Sequence, residues 1–328
     1  MIWNDDVLGQ DFSATTVPVP GRGAHRTATV VRHNPSTRAE SRGTVLYVHG
    51  WSDYFANPEL AVAVQRAGFR FYAVDLHGYG RNLTDEVLAA GDVPGLAEDF
   101  SEYQPDFDAA REVIARDGGR IDPDHLVVVA HSTGGLTMSL LLMEQPGQVA
   151  GLALATPWIA PQGFSGIDRI ILALAPLLPK RLTLMELKVP LNSNYHRVLS
   201  RDREGAWEVD PRWRPRKSFP VTVGFLRSTA AARERLLELH GSGRTVQAPV
   251  LIQTARRSLL VPWWDKRMHG MDTVLDVEAI RRRAAVLHPA PTVIAYDDAI
   301  HDVHRSAPLV RRAAFADLQR WLDGLEID

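Results

Sequence analysis

The run Leu126-Val127-Val128-Val129-Ala130-His131-Ser132-Thr133-Gly134-Gly135 drives an apolar, β-branched segment straight into a serine set among small residues. A helical pattern, 136–144, begins directly behind it. A buried strand ending on such a turn exposes the Ser132 hydroxyl at the carboxyl end of a sheet. Ala130 and Gly134 leave room for the turn, and the positive end of the following helix favours negative charge developing beside it. On residue type alone Ser132 could equally be a helix N-cap; the strand-to-helix context favours a nucleophile. A second apolar run, Val45-Leu46-Tyr47-Val48, ends in His49-Gly50-Trp51. Glycine there lets the next backbone N–H approach a substrate oxygen, so the amides of Trp51 and Thr133 are expected to form an oxyanion hole. The His49 imidazole is assigned to holding loops in place.

These groups need a scaffold, and the rest of the chain has the pattern of one. Short apolar runs at 45–48, 71–74, 126–129, 152–154, 250–252 and 292–294 read as buried strands. Helical candidates fall between and after them at 57–67, 107–115, 136–144, 277–287 and 308–325. This alternation predicts an α/β protein with a mostly parallel central sheet flanked by helices. Two earlier runs, 14–19 and 26–31, are expected to pair as antiparallel edge strands. The alternation lapses over 157–248, a stretch punctuated by eight prolines from Pro157 to Pro220. The expected organisation is a core in two parts, 1–156 and 249–328, with a mainly helical cap inserted at 157–248; an independent second domain is the alternative.

Composition narrows the chemistry. With no cysteine in 328 residues, thiolate nucleophiles, disulfides and cysteine zinc cages are excluded. A formal net charge of −2 provides no global field for nucleic acid. The N-terminus opens on Asp5-Asp6 with no apolar stretch behind it, and no run approaches the ~20 residues of a membrane span. A cytoplasmic location, with no nucleic-acid partner and no transmembrane segment, is the expectation.

The chain resembles the α/β-hydrolase superfamily, in its capped lipase-like group of monoacylglycerol lipases, lysophospholipases and serine aminopeptidase-domain hydrolases. The resemblance rests on Val48-His49-Gly50, Asp75-Leu76-His77-Gly78-Tyr79-Gly80-Arg81-Asn82, Ala130-His131-Ser132-Thr133-Gly134-Gly135 and Ala299-Ile300-His301-Asp302, in the family's order. Ala130 replaces the group's usual glycine and Asn82 its usual serine. The resemblance implies a serine hydrolase with no cofactor and no metal. It also implies a histidine after the last strand, which is His301, with His304 as its close rival. Imidazole there would take the Ser132 proton and return it to the leaving group.

The acid should follow the strand at 249–253 and precede the histidine. No carboxylate stands directly after that strand. Asp272-Thr273-Val274-Leu275-Asp276 resembles the group's acid loop displaced by an insertion of about 255–271. Asp272 is the first choice and Asp276 the alternative, although Asp276 also suits the N-cap of the helix at 277–287; Asp265 is a remote third.

Trp51 and five further tryptophans, Trp158, Trp207, Trp213, Trp263 and Trp264, with Ile170, Ile171, Leu172, Leu174, Leu177 and Leu178, are candidates for an apolar substrate pocket. Packing of the cap onto the core explains the same residues. The basic stretch 197–217 reads as a solvated face. The expected activity is cleavage of a small-molecule carboxylic ester carrying an apolar acyl or aromatic group. Thioesterase, amidase or peptidase and acyltransferase chemistry share the same residues. A non-catalytic ligand-binding protein of this fold is the alternative of another class. The sequence leaves the oligomeric state open.

Overall fold

The computed structural model describes residues 1–21, 26–34, 41–161, 174, 177–187 and 194–327. Nine strands form one sheet: β1 (Asn4–Asp6), β2 (Gly9–Pro18), β3 (Thr27–His33), β4 (Gly43–Val48), β5 (Phe69–Asp75), β6 (Leu126–His131), β7 (Gly151–Ala155), β8 (Val250–Ala255) and β9 (Thr292–Tyr296). Their order is β1-β2-β3-β5-β4-β6-β7-β8-β9. Pairings from β5 through β9 are parallel, and those of β1 to β3, with β3 on β5, are antiparallel. The two early runs do pair with each other, but β1 takes the edge and β3 closes onto the parallel part.

Each central strand is buried on both faces, and period-two alternation sorts its side chains between two cores. Leu46, Val48, Leu126, Val128 and Ala130 face one core with Phe107, Leu136, Phe225 and Ile280. Val45, Tyr47, Val127 and Val129 face the other with Leu60, Val64, Phe315 and Leu318. The helices divide accordingly. α1 (Pro58–Arg66) and α8 (Pro308–Asp323) cover the second face, while α3 (Gln104–Arg116), α4 (Thr133–Glu144), α6 (Val223–Gly241) and α7 (Val277–Leu287) cover the first. Two short helices, α2 (Asp85–Ala89) and α5 (Asn194–Leu199), complete the set among the described residues. Residues 133–143 of α4 are buried throughout. A helix with no polar face is held by burial, at roughly 1.5–3 kcal/mol for each large apolar side chain.

From β4 the chain crosses by α1 to β5 on one side, then by α3 to β6 on the other. The two crossovers lie on opposite faces, so their loops part at the carboxyl ends of β4 and β6. That opening is where a doubly wound sheet binds its ligand. Between β7 and β8, no described residue adds a strand to the sheet. Among the described residues, no helix is long and apolar enough to cross a membrane.

Candidate active site

Ser132 follows β6 with φ 53° and ψ −116°, backbone angles that cost a non-glycine residue about 1–3 kcal/mol. The turn is held from both sides. Ser132 N–H donates to Ala155 O at 3.0 Å, and Trp158 N–H donates to Ser132 O at 3.0 Å. A Cβ on Gly134 would collide with the carbonyl oxygen of His49, and one on Gly50 would lie 3.0 Å from Ser132 Cβ. The two glycines therefore let the His49-Gly50-Trp51 loop close directly onto the serine turn. Thr133, the first residue of α4, and Trp51 follow these contacts on either side. His49 ties the loop: its Nδ1–H donates to Gly50 O at 2.7 Å, and Nε2 accepts Leu76 N–H at 3.1 Å.

His301 lies in the loop between β9 and α8, with Nε2 3.0 Å from Ser132 Oγ and Nδ1 2.8 Å from Asp272 Oδ2. A carboxylate can only accept, so Nδ1 carries the proton and Nε2 is free to accept from the Ser132 hydroxyl. Asp272 Oδ1 accepts the N–H groups of Val274 and Leu275 at 2.7 and 2.8 Å, which fixes the carboxylate plane. Asp276 instead accepts Ala279 N–H at 3.0 Å as the N-cap of α7. Asp265 caps its own short turn through Arg267 N–H. His304 donates through Nε2 to Gln253 Oε1 at 2.9 Å. Of the expected polar side chains, Ser132, His301 and Asp272 meet; Asp276, Asp265 and His304 are engaged elsewhere.

A buried charged cluster, absent from the sequence expectations, adjoins this group through His131, whose ring lies 4.9 Å from that of His301. Asp53 Oδ1 lies 2.6 Å from Arg214 Nη1 and 3.4 Å from Arg305 Nη1, and Arg305 Nε lies 3.4 Å from Asp302 Oδ2. Burial alone would raise the Asp53 carboxyl, but Arg214 and then Arg305 override it and hold the group well below the usual carboxylate range. Asp53 lies two residues past Trp51, Arg305 four past His301, and Arg214 comes from the segment between β7 and β8. Three parts of the chain are thereby tied at one carboxylate. His131 Nδ1 stands 3.9 Å from Asp53 Oδ2, and burial pushes the imidazole down to about 4. Tyr195 of α5 packs edge-on to His301, with ring centroids 5.2 Å apart. The available sequence signal was the charge pattern: an acid and an arginine each within a few residues of a site motif.

The tryptophans do not gather in one place. Trp51 stacks on Phe225 at 4.6 Å, and Trp158 meets the same ring at 5.8 Å, so these two share a wall beside Ser132. Trp213 packs edge-on to Tyr54 at 5.1 Å. Trp207 donates its indole N–H to Arg305 O at 2.7 Å, anchoring a loop. Trp264 lies under Arg197, 3.8 Å from guanidinium carbon to ring centroid. Trp263 is 64% exposed, in contrast to the buried Trp158. Leu174 and Leu177 are likewise exposed; Ile170, Ile171 and Leu172 lie outside the described residues. The basic stretch is largely paired. Arg201 meets Glu208, Arg212 meets Asp210 and Arg216 meets Asp202, each within 2.6 Å, in keeping with a solvated face.

Among the described residues, no group of three or more His, Asp or Glu side chains is arranged to hold a metal ion.

Comparison with known proteins agrees with this architecture. The sequence matches the family described as serine aminopeptidase, S33, over residues 39–308. No curated protein matches it. Similar solved structures include a carboxyl esterase from Bacillus coagulans (TM-score 0.65, 14% identity, 97% of this chain and 99% of that one). The monoacylglycerol lipase of Paleococcus ferrophilus gives TM-score 0.62 at 19% identity, covering 96% and 99%. A soluble variant of the Saccharomyces cerevisiae monoglyceride lipase gives 0.60 at 16% identity, covering 98% and 94%. At these identities the likeness is one of fold.

Proposed function

We propose, on the premise that the chain belongs to the serine aminopeptidase (S33) family of α/β-hydrolases, that it cleaves carboxylic esters through an acyl-enzyme on Ser132. The observation carrying this reading is the unbroken hydrogen-bonded line from Ser132 Oγ through His301 to Asp272. Ser132 Oγ attacks the ester carbonyl while His301 Nε2 takes its proton. The Trp51 and Thr133 amides stabilise the tetrahedral oxyanion; a single donor of this kind is worth about 3–4 kcal/mol of barrier. Collapse expels the alcohol, which leaves with the proton from His301. A water then repeats the sequence in reverse, releasing the acid and restoring Ser132. Asp272 holds the imidazole in its working tautomer throughout.

For the substrate, the Trp51–Phe225–Trp158 wall supports an apolar acyl or aromatic group. For the cap, support comes from the residues between β7 and β8 that reach the site: Tyr195 against His301 and Arg214 against Asp53. Among the described residues of 157–248, the covering role is best given to those before α6. Helix α6, which follows, contributes Phe225, Leu226, Ala232 and Leu236 to the core beside α4.

The test is a fluorophosphonate probe read by intact-protein mass. Wild type should gain one adduct per chain, and Ser132→Ala none. An unlabelled wild-type protein that is fully folded would overturn the reading in favour of a non-catalytic ligand-binding protein.

A further inference from the structure

We infer that Arg233, Arg283 and the indole N–H of Trp158 form a binding site for a small oxyanion, a carboxylate or a phosphate. Arg233 comes from α6, Arg283 from α7, and Trp158 from the turn after β7. The guanidinium carbon of Arg233 stands 5.0 Å from the centre of the Trp158 rings. Arg233 Nη1 and Trp158 Nε1 are both buried donors without a hydrogen-bond partner. Arg283 spends one N–H on Ile159 O at 3.3 Å and has four left.

The cluster has cationic donors without a matching acid. Among the described residues neither Arg233 nor Arg283 forms an ion pair, while Arg282, the neighbour of Arg283 in α7, meets Glu278 at 2.6 Å. Burial, and next the repulsion of Arg283, bring Arg233 down to about 10; Glu234 offsets this only in part. Two half-buried guanidinium groups thus repel one another, with donors to spare and no ion-pair partner among the described residues. Buried cations are normally paired, and an unsatisfied buried donor carries its full desolvation penalty. An anion seated between them would relieve both.

The donor chemistry selects the ligand. Guanidinium and indole groups donate and cannot accept, which excludes cations and disfavours neutral alcohols. The planar fork of arginine matches the paired oxygens of a carboxylate or phosphate, and the unpartnered indole N–H is a further donor beside it. Trp158 is also the residue whose backbone holds Ser132 and whose ring meets Phe225. The site therefore lies behind the aromatic wall of the reacting centre. A free anion could fill it, and so could the acid end of a molecule whose apolar part runs along that wall.

Thermal melting of the full chain at constant ionic strength tests the site without using hydrolysis, so the outcome is independent of the esterase reading. Inorganic phosphate should raise the Tm of wild type and of Arg282→Met by a few degrees. Arg233→Met should lose that response and, in phosphate-free buffer, melt at or above wild type, because an unpaired buried cation has been removed. If Arg233→Met does not fold, Arg283→Met supports the same comparison. Equal phosphate responses in wild type and the variants would overturn the proposal. So would a flat wild-type response, or an Arg233→Met protein that is merely weakened in both buffers. Octanoate in place of phosphate separates the two sources. A response to octanoate at lower concentration than phosphate, lost in Arg233→Met, identifies a tailed acid; the reverse order identifies a free anion.

Discussion

Replacing Asp272 by asparagine alters one group on the side of His301 remote from Ser132, and the surrounding bonds dictate which way the new amide turns. Asp272 Oδ1 receives two N–H donors, from Val274 and Leu275, and Oδ2 receives the proton on His301 Nδ1. If the asparagine NH₂ faced Val274 and Leu275, donors would oppose donors, leaving buried N–H groups unsatisfied at about 1–3 kcal/mol each. The amide oxygen therefore keeps the backbone pair, and NH₂ faces Nδ1. Nδ1 must then accept, so the proton moves to Nε2, which can no longer take one from Ser132. A triad forced into the wrong tautomer in this way loses about 10⁴-fold in kcat, equivalent to about 5.4 kcal/mol of barrier. Melting temperature should change little, since the backbone bonds persist. Asp276→Asn is the matched control: asparagine caps as well as aspartate, so only the charge at the start of α7 is lost, at about 0.3–1 kcal/mol of stability. The assay is kcat/KM on a short-chain p-nitrophenyl ester, with the melt of each variant alongside. Asp272→Asn within tenfold of wild type would refute the reasoning. An equally large loss in Asp276→Asn at unchanged Tm would refute the choice of acid.

Three further outcomes follow from the same geometry. Gly134→Ala puts a methyl group into the His49 carbonyl, so it should lower Tm sharply and abolish activity in whatever folds, measured by melting and ester turnover. Trp263→Ala should leave KM for apolar esters unchanged because the side chain is 64% exposed, whereas Trp158→Ala should raise it severalfold; a titration across acyl lengths decides. His131 makes stability depend on pH: its folded pKa of about 4 lies below the ordinary 6.5, so the unfolded chain takes up this proton first. Its contribution is constant above about 6.5 and falls by about 1.4 kcal/mol per pH unit between 6.5 and 4. Denaturant unfolding at several pH values should show a slope shallower by that amount in His131→Asn, and parallel slopes would contradict the assignment.

What could be read from the sequence and what could not divide along a physical line. Strands β4, β6, β7 and β8 are short runs buried on both faces, so their apolar character is visible without any knowledge of neighbours. Ser132 was legible because its turn is local: the strand, the small residues and the helix that fix it are contiguous. Asp53, Arg214 and Arg305 were not, since their charges balance only once three distant segments meet. The same holds for the tryptophans. Trp51 and Trp158 share a wall only because α6 inserts Phe225 between them, and no spacing in the chain announces that.

Asp272 shows how an apparent gap in sequence can be no gap in space. β8 ends at Ala255 with no carboxylate behind it, and Asp272 comes 17 residues later. Yet Asp272 N–H donates to Arg257 O at 2.9 Å, and Leu259 N–H donates to Asp272 O at 2.7 Å. Ser258 and Asp272 thus pair as a parallel bridge immediately beyond the strand. The residues between them leave and return to the same point, so Asp272 occupies the place that a residue directly following β8 would have. The excursion is anchored by packing Leu259, Val261, Trp264 and Met268 against Val198, Leu199 and Ile300, the last being the neighbour of His301. An insertion that closes on itself costs only slowly growing loop entropy, while this packing fixes one end of the histidine loop. The displaced Asp272 is therefore compatible with an undistorted Ser132–His301–Asp272 hydrogen-bonded line, because the excursion also braces the segment that carries His301.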